Sequence, residues 1–375
     1  MCTIANVEVG RQNVPRSFWE RADAVLSAGG KLRQGYDQLQ ALVVRQRWEV
    51  AQLEASQAAA DGVERWTPTV RQRRSVTAVD VEAVRELTRA FRGLDNKLGG
   101  GHAHAAASKY FDSTVATMLR DGTYAEGVGR ELHAAAAQLA HLVAWSAYDM
   151  QEHEQAQRYF AKATELATSA GDRAFCGEIL AARSHHAIHL GHPVEALVLA
   201  RAAQRNASKS DVSALLAESY ELEANGHALV GNARESLSSL RKAEVAFQRS
   251  NAASQPDWLH YLDDGYLAAR FAHCFRDLKQ WNQARDFGLQ AVKMSENLAR
   301  TRVFNTAVLA TAYVETDLDE ACALGLQAAN LAITFQSARV LHYIRDVRHR
   351  LHDRHGDHPQ VRQFSEQVSE LLGAN

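Results

Sequence analysis

The sequence predicts an all-α protein built from helical hairpins, and three observations lead to this prediction. Only 5 of the 375 residues are proline, so few positions would interrupt a long helix. Apolar residues recur at steps of three and four along most of the chain, as on the buried face of an α-helix. Small residues recur in five copies of one pattern, with spacings of 12 and then 7 residues.

Each copy of this pattern places one small residue on a first helix and two on a second, where the helices must approach closely. A turn is predicted between them in the same phase each time, with glycine at Gly191 and Gly231. Counted from the second small residue, the copies follow at offsets of 40, 40, 48 and 37 residues. The copies are Ala144/Ala156/Ala163, Ser184/Ala196/Ala203, Ala224/Ser236/Ala243, Ala272/Ala284/Ala291 and, with leucine at one position, Leu309/Ala321/Ala328.

The segment AQRYFAKA at residues 156–163 resembles the second helix of a tetratricopeptide repeat, with Ala156, Phe160 and Ala163 at the family's alanine, aromatic and alanine positions. The resemblance implies a tetratricopeptide-like helical-hairpin solenoid, which we assign to residues 123–375. The offsets exceed the roughly 34 residues of the standard repeat, so the helices or their connections are expected to be longer.

An amphipathic hairpin is predicted ahead of the repeats, over residues 77–122. Val81 and Val84 begin the apolar side of its first helix, and glycines at residues 99–101 end that helix. It lacks the small-residue pattern, so we interpret it as a cap on the end of the solenoid. Residues 41–76 are interpreted as a helical linker.

Residues 1–40 resemble the last part of a lambda-repressor-like, or xenobiotic-response-element type, helix-turn-helix domain. Ile4, Glu8 and Gly10 match the end of the recognition helix in that family. The sequence starts inside this helix, so we expect a short helical remnant with impaired DNA binding, and DNA as a partner only if the missing helices are present. The residues of the remnant expected to face DNA are Thr3, Asn6 and Arg11.

The whole arrangement resembles a group of actinobacterial regulators in which a repressor-like head precedes a tetratricopeptide-type tail. The segment WERAD at residues 19–23, Leu94 and Asp95 with the glycines at 99–101, and Gly171 and Asp172 after AQRYF carry the resemblance. It implies that the tail senses a peptide or small molecule and controls the head. A ligand-responsive transcriptional regulator, with a possible homodimer, is therefore the first functional hypothesis. The alternative is a constitutive scaffold for protein–protein interaction.

The bulk composition and the motif search exclude several other classes. Lysine and arginine number 42 against 44 acidic residues, so no global field would attract nucleic acid or an anionic membrane. The chain shows no secretion signal or membrane-spanning apolar run, and we expect a cytoplasmic protein. No catalytic or phosphate-binding motif is present, the 4 cysteines form no CxxC pair, and we expect neither an enzyme nor a cofactor. The histidines at 185 and 189 and those at 349, 352, 355 and 358 have helical ligand spacing, but we interpret them as non-metal positions.

In the tetratricopeptide family the first helix of each hairpin lines a concave groove, and the resemblance carries that role to one set of positions here. Aromatic rings, amides, carboxylates and an arginine on one surface would suit an extended peptide. The alternative for each residue is ordinary packing or a solvated face. The predicted groove residues are Gln138, His141, Trp145, Tyr148, Glu178, His185, Ile188, Glu218, Glu221, Asn225, Tyr266, His273, Arg276, Thr306 and Tyr313.

Overall fold

The chain divides into two compact units, residues 1–72 and 73–375. The computed structural model describes residues 16–26, 29–31, 75–251 and 255–373. In the first unit the described residues include helix α1 (Arg16–Val25). The predicted DNA-facing residues Thr3, Asn6 and Arg11 lie outside the described residues, as does nearly all of the predicted linker.

The second unit begins with the predicted capping hairpin. Helix α2 (Ala78–Leu98) starts with a capping box, in which the Thr77 amide donates to Asp80 Oδ2 at 2.8 Å. Helix α3 (Gly100–Tyr110) passes through a π-helical turn (Phe111–Val115) into α4 (Ala116–Asp121). Val81 and Val84 are fully buried, whereas Leu87 remains 38% exposed, so the apolar side of α2 is buried at its N-terminal end.

Helical hairpins fill the rest of the described chain. Each has a first helix that packs beside the first helix of the next hairpin, and a second helix on the outside. They are α5 (Glu126–Asp149) with α6 (His153–Ala170), α7 (Arg173–His189) with α8 (Pro193–Ser210), α9 (Ser213–Leu229) with α10 (Ala233–Gln248), α11 (Asp264–Asp277) with α12 (Trp281–Met294), α13 (Ala299–Tyr313) with α14 (Leu318–Ala332), and α15 (Ala338–His355) with α16 (Pro359–Gly373). None of the described helices is long and apolar enough to cross a membrane.

The small-residue pattern marks the contacts within the hairpins, which confirms the predicted all-α tetratricopeptide-like solenoid. Every member of the five triplets is at most 1% exposed. Of the two triplet serines, Ser184 Oγ donates across its hairpin to the Ala196 carbonyl at 2.8 Å, whereas Ser236 Oγ is buried without a hydrogen-bond partner. Left-handed backbone conformations recur in the turns at Gln151, Gly191 and Gly231, in register with the repeats.

The offset of 48 residues between the third and fourth triplets is explained by an insert between α10 and α11. Its described part holds a 3₁₀ helix (Asp257–Leu259) that turns back onto the inner helices. Leu259 is fully buried, and the Trp258 ring packs on Phe175 of α7 with centroids 5.4 Å apart. The insert therefore adds packing surface to α7 and α9.

The array closes on itself, because α15 packs against α5 and α2 packs against both α5 and α13. Asp149, at the end of α5 and fully buried, is the centre of this closure. Its Oδ2 accepts the Gly100 amide at 3.0 Å, and its Oδ1 pairs with Arg300 and, at 3.2 Å, with Arg339. We call these four residues the Asp149 junction.

The glycines after α2 allow this close approach. A Cβ at Gly99 would lie 2.6 Å from the Gln336 carbonyl oxygen, and one at Gly100 would lie 2.7 Å from the Ser146 carbonyl oxygen. The Gly101 amide donates to the same Gln336 carbonyl at 3.1 Å. Gly99 and Gly101 thus lie against the chain just before the last hairpin, and Gly100 lies against α5 of the first hairpin.

Enlarging one member of a triplet tests the helix packing. Ala163→Leu should lower the free energy of unfolding by about 1–3 kcal/mol, because the added carbons have no space between α5 and α6. Ala161→Leu, an exposed site on the same helix, should change it by no more than about 0.5 kcal/mol. Urea unfolding followed by circular dichroism measures both, and equal effects would contradict the assigned hairpin interface.

Breaking the Asp149 junction tests the closure of the array. Asp149→Asn should destabilise the protein by about 3–5 kcal/mol, because two buried guanidinium groups lose their shared carboxylate. Glu315→Gln removes an exposed pair with Arg354, 2.8 Å long, and should cost less than about 1 kcal/mol. A loss of stability no larger for Asp149→Asn than for Glu315→Gln, in the same unfolding experiment, would show that closure does not depend on this carboxylate.

Candidate functional site

Most of the predicted groove residues lie on the inner face, defined here as the inward side of α5, α7, α9, α11, α13 and α15. The structure corrects one expectation, because this face is a closed polar core where an open groove was expected. Tyr148, Glu221 and Thr306 are fully buried, and Glu218 is 5% exposed. The reason is that α15 and the insert before α11 fill the space along which an extended peptide would lie.

Arg270 of α11 is the hub of the inner face. Its Nε donates to Glu221 Oε1 at 2.8 Å, and its Nη2 donates to Asn225 Oδ1 at 3.3 Å. Its Nη1 lies 3.1 Å from His185 Nε2, which must accept because a guanidinium has no acceptor. His185 is therefore neutral, with its proton on Nδ1, and donates to the Tyr148 oxygen at 3.2 Å.

The carboxylate of Glu221 is only partly satisfied. Burial raises the pKa of Glu221 to about 7, against the lowering effect of Arg270. Its Oε2 is buried without a hydrogen-bond partner. The same holds for His141 Nε2 on α5 and Thr306 Oγ1 on α13.

Glu178 of α7 and Glu218 of α9, here called the acidic pair, meet around one tyrosine. The Tyr261 hydroxyl lies 2.8 and 2.9 Å from the Glu218 oxygens and 3.3 and 3.4 Å from those of Glu178. Tyr266 also donates to Glu218, at 3.0 Å. Burial and the charge of Glu218 raise the pKa of Glu178 well above its ordinary value, and burial raises the pKa of Glu218.

Two further groups extend this polar network. Asn225 Nδ2 donates to Asp277 Oδ2 at 3.2 Å, and Arg276 Nε donates to Asp277 Oδ1 at 2.9 Å. The Arg339 guanidinium of α15 lies over the rings of Trp145 and Tyr148, 5.4 and 4.9 Å from their centroids. These aromatic faces stabilise a buried cation that Asp149 also neutralises.

Histidine rings line the part of the inner face where α6, α7 and α15 meet. His153 Nδ1 lies 3.0 Å from His186 Nε2, and the rings of His189 and His342 are 4.7 Å apart. Burial lowers the pKa of His186 to about 4 and that of His189 to about 3. Beside them is a cavity of about 230 Å³ whose lining includes His186, Arg183 and Glu195. Within the described residues, no group of three His, Cys, Asp or Glu side chains is arranged to hold a metal ion.

Some predicted groove residues lie elsewhere. Tyr313 is at the end of α13, where Arg285 of the outer helix α12 lies 5.5 Å from its ring centroid. Ile188 packs against the apolar clusters of α7 and α8, and Gln138 is half-buried on α5 outside the network. His273 is 9% exposed on α11, and its ring faces Tyr343 at 5.7 Å.

Sequence reasoning missed Arg270, Tyr261 and Arg339. Arg270 lies one helical turn after Tyr266, so the spacing could have identified it. Tyr261 belongs to the insert. The offset of 48 residues indicates that an insert is present but not which way it turns. Arg339 belongs to the last hairpin, which carries no small-residue triplet.

Comparisons with known proteins identify a similar solved structure and no family. No protein-family model matches the chain, and no curated protein matches it. The crystal structure of a Rap protein complexed with competence and sporulation factor is similar over 78% of this chain and 88% of that one. The TM-score is 0.48 and the sequence identity is 14%.

The low pKa of His189 predicts a dependence of stability on pH. The folded state keeps this ring neutral, so the free energy of unfolding is highest above the unfolded-state pKa of about 6.5. As the pH falls below that value, the unfolded state takes up a proton and the free energy of unfolding decreases. Between pH 7 and pH 5 this loss amounts to at most about 2 kcal/mol. His189→Gln should therefore reduce the fall in stability over this range.

Thermal unfolding of both proteins at a series of pH values measures this effect. His349→Gln, at an exposed histidine of α15, serves as the control and should behave as the wild type does. An unchanged pH dependence in His189→Gln would mean that this ring already takes up a proton in the folded protein near pH 6.

Proposed function

We propose that the protein is a non-enzymatic, ligand-responsive regulator whose inner face binds a peptide or a small molecule. The observation that carries this proposal is the set of buried polar atoms without partners on the inner helices. Three of them are His141 Nε2, Glu221 Oε2 and Thr306 Oγ1. Each such atom costs about 1–3 kcal/mol if nothing satisfies it.

A peptide is the ligand class that fits these atoms best. Its backbone offers a donor and an acceptor at every residue. Among the unpartnered atoms, Glu221 Oε2 is an acceptor, and the Thr306 hydroxyl can both donate and accept. They belong to helices α5, α9 and α13, so a ligand that reached all three would have to span the inner face.

The closure of the array gives a route from binding to regulation. A ligand can enter fully only if α15 or the α2–α3 hairpin moves, so open and closed forms must differ in their affinity for it. The Asp149 junction connects that hairpin to α5, α13 and α15, and so transmits the change. The resemblance of residues 1–40 to part of a repressor-like head supports DNA as the regulated target.

The environment of Ser146 supports the non-enzymatic part of the proposal. Ser146 Oγ lies 2.9 Å from His104 Nδ1, a geometry that could activate a nucleophile. However, Ser146 is 1% exposed and its hydroxyl donates to the Val143 carbonyl at 3.0 Å. We therefore assign this pair a packing role.

A constitutive interaction scaffold is the second candidate, and the closed inner face favours it. A protein that never opens would present only its outer helices, where Val194 and Val198 of α8 are 73% and 62% exposed. Partner proteins would then bind without any sensory ligand.

The variant Thr306→Val distinguishes the two functions. Valine has the shape of threonine without the unpartnered hydroxyl, so the free protein should gain up to about 1 kcal/mol of stability. A pool of synthetic pentapeptides of random sequence should raise the melting temperature of the wild type and raise that of Thr306→Val less. Differential scanning fluorimetry measures both quantities.

Thr311→Val is the matched control on the same helix. Thr311 is 2% exposed and its hydroxyl donates to the Val308 carbonyl at 2.6 Å, so valine should not stabilise the protein there and should leave the peptide effect intact. If the pool shifts none of these proteins, the inner face does not bind peptides and the scaffold becomes the better assignment.

A further inference from the structure

The buried carboxylates around the inner face differ in their counter-ions. Most of them are in contact with a guanidinium group, whereas the acidic pair is held by tyrosine hydroxyls. The contacts are Glu221 with Arg270 at 2.8 Å, Asp277 with Arg276 at 2.7 Å, Asp95 with Arg300 at 3.3 Å, and Asp149 with Arg300 and Arg339. Among the described residues, therefore, no arginine or lysine contacts the acidic pair, and its negative charge is buried beside tyrosine hydroxyls.

The hydrogen bonds at the acidic pair show how the ligand-free protein accommodates two buried carboxyl groups. Tyr261 has one proton to donate and its hydroxyl lies closer to Glu218, so Glu178 has the longer and weaker contact with it. Glu178 is 4% exposed, and in such surroundings one of two neighbouring carboxyls stays neutral. A cation placed here would let both ionise and form charge-assisted hydrogen bonds.

Polar atoms without hydrogen-bond partners lie on either side of the acidic pair. Glu221, fully buried one helical turn after Glu218 on α9, has a free Oε2. On the other side, His141 Nε2 lies 4.0 Å from Glu178 Oε1 and has no hydrogen-bond partner. One carboxyl oxygen and one ring nitrogen therefore lie beside the acidic pair with unused hydrogen-bonding capacity, which a group with several N–H donors would satisfy.

The acidic pair is also close to solvent on one side. The Tyr261 side chain places its hydroxyl on both carboxyls, yet Tyr261 is 43% exposed. Its ring therefore spans the distance from the surface to the acidic pair. A ligand side chain that displaced this ring could reach Glu178 and Glu218 while the Asp149 junction remains closed.

One cation of the protein itself influences the acidic pair through its charge. Arg92 of α2 is half-buried, and within the described part of the chain it makes no hydrogen bond. Burial lowers the pKa of Arg92, and the charge of Glu178 is the largest effect opposing it. Arg92 thus offsets the charge of the acidic pair without contacting it.

We propose that the acidic pair binds a guanidinium or ammonium group of the ligand, and that this group replaces Arg92 and loosens α2 from the inner face. The inference rests on the proposed function and specifies its ligand as a peptide with a basic side chain. Glu178 and Glu218 would hold the cation, with Tyr266 keeping Glu218 in place. Release of α2 would then alter the capping hairpin that precedes the repeats.

Two matched peptide pools test the ligand chemistry. Both contain N-acetylated pentapeptides of random sequence, and they differ in one position that is arginine in the first pool and citrulline, its uncharged isostere, in the second. The arginine pool should bind the wild type at least about tenfold more tightly, as the loss of a charge-assisted contact predicts. Glu178→Gln and Glu218→Gln should remove this preference, because both keep the shape of the carboxyl without its charge.

Arg92→Gln tests the displacement. With its internal competitor removed, the variant should bind the arginine pool several-fold more tightly than the wild type and the citrulline pool equally well. Hydrogen exchange read by mass spectrometry should show faster exchange in residues 78–98 of the wild type when the arginine pool is bound. Unchanged or weaker binding by Arg92→Gln, or slower exchange in α2, would overturn the displacement.

The outcomes separate this inference from the proposed function. If both pools bind equally and Thr306→Val weakens both, the inner face binds peptides but the acidic pair does not recognise a cation. If neither pool binds, the proposed function fails together with the inference. Circular dichroism melts of the two glutamine variants exclude misfolding, since removal of buried repulsion should not lower their melting temperatures.

Discussion

The burial of the Asp149 carboxylate is the constraint on which the closed form of the array depends. A carboxylate with no solvent exposure needs cations and hydrogen-bond donors, and here they come from α3, α13 and α15, far along the chain from α5. Satisfying this one group brings the first and last hairpins together. The glycines beside it follow from the same requirement, because a side chain at Gly100 would push α3 away from α5.

Closure changes the chemistry of the inner face. A solenoid of this kind, left open, would expose its first helices to water, and their polar side chains would cost little. Enclosed by α15 and the insert, the same side chains must find partners in the protein, and Arg270 supplies them for Glu221, Asn225 and His185. Atoms that remain without partners, such as Glu221 Oε2 and Thr306 Oγ1, mark the places where this network is incomplete.

The sequence allowed the repeats to be predicted but not their closure. Small residues such as Ala163 and Ser184 occur at a fixed period because two helices touch there, and contact within a hairpin is local in sequence. Ion pairs such as Asp149 with Arg339 join residues with no periodic relation, so the pattern carries no sign of them. Most of the predicted groove residues lie on the inner helices, whereas their burial depends on α15, whose hairpin lacks the triplet. Tyr313 was misplaced because the end of α13 faces Arg285 of an outer helix.

The relation between Arg92 and the acidic pair is best understood as competition within one molecule. An internal cation that offsets the pair reduces the fraction of molecules ready to bind, and lowers the apparent affinity for a cationic ligand by that fraction. This loss of affinity couples binding to α2. By linkage, a ligand that replaces Arg92 weakens the attachment of α2 to the inner face by the same free energy with which Arg92 opposes binding. A site with no internal competitor would bind more tightly and transmit nothing to the capping hairpin. Burial of Glu178 and Glu218 without a contacting cation is the condition for this exchange, since a pair already bound by arginine would leave the ligand no advantage.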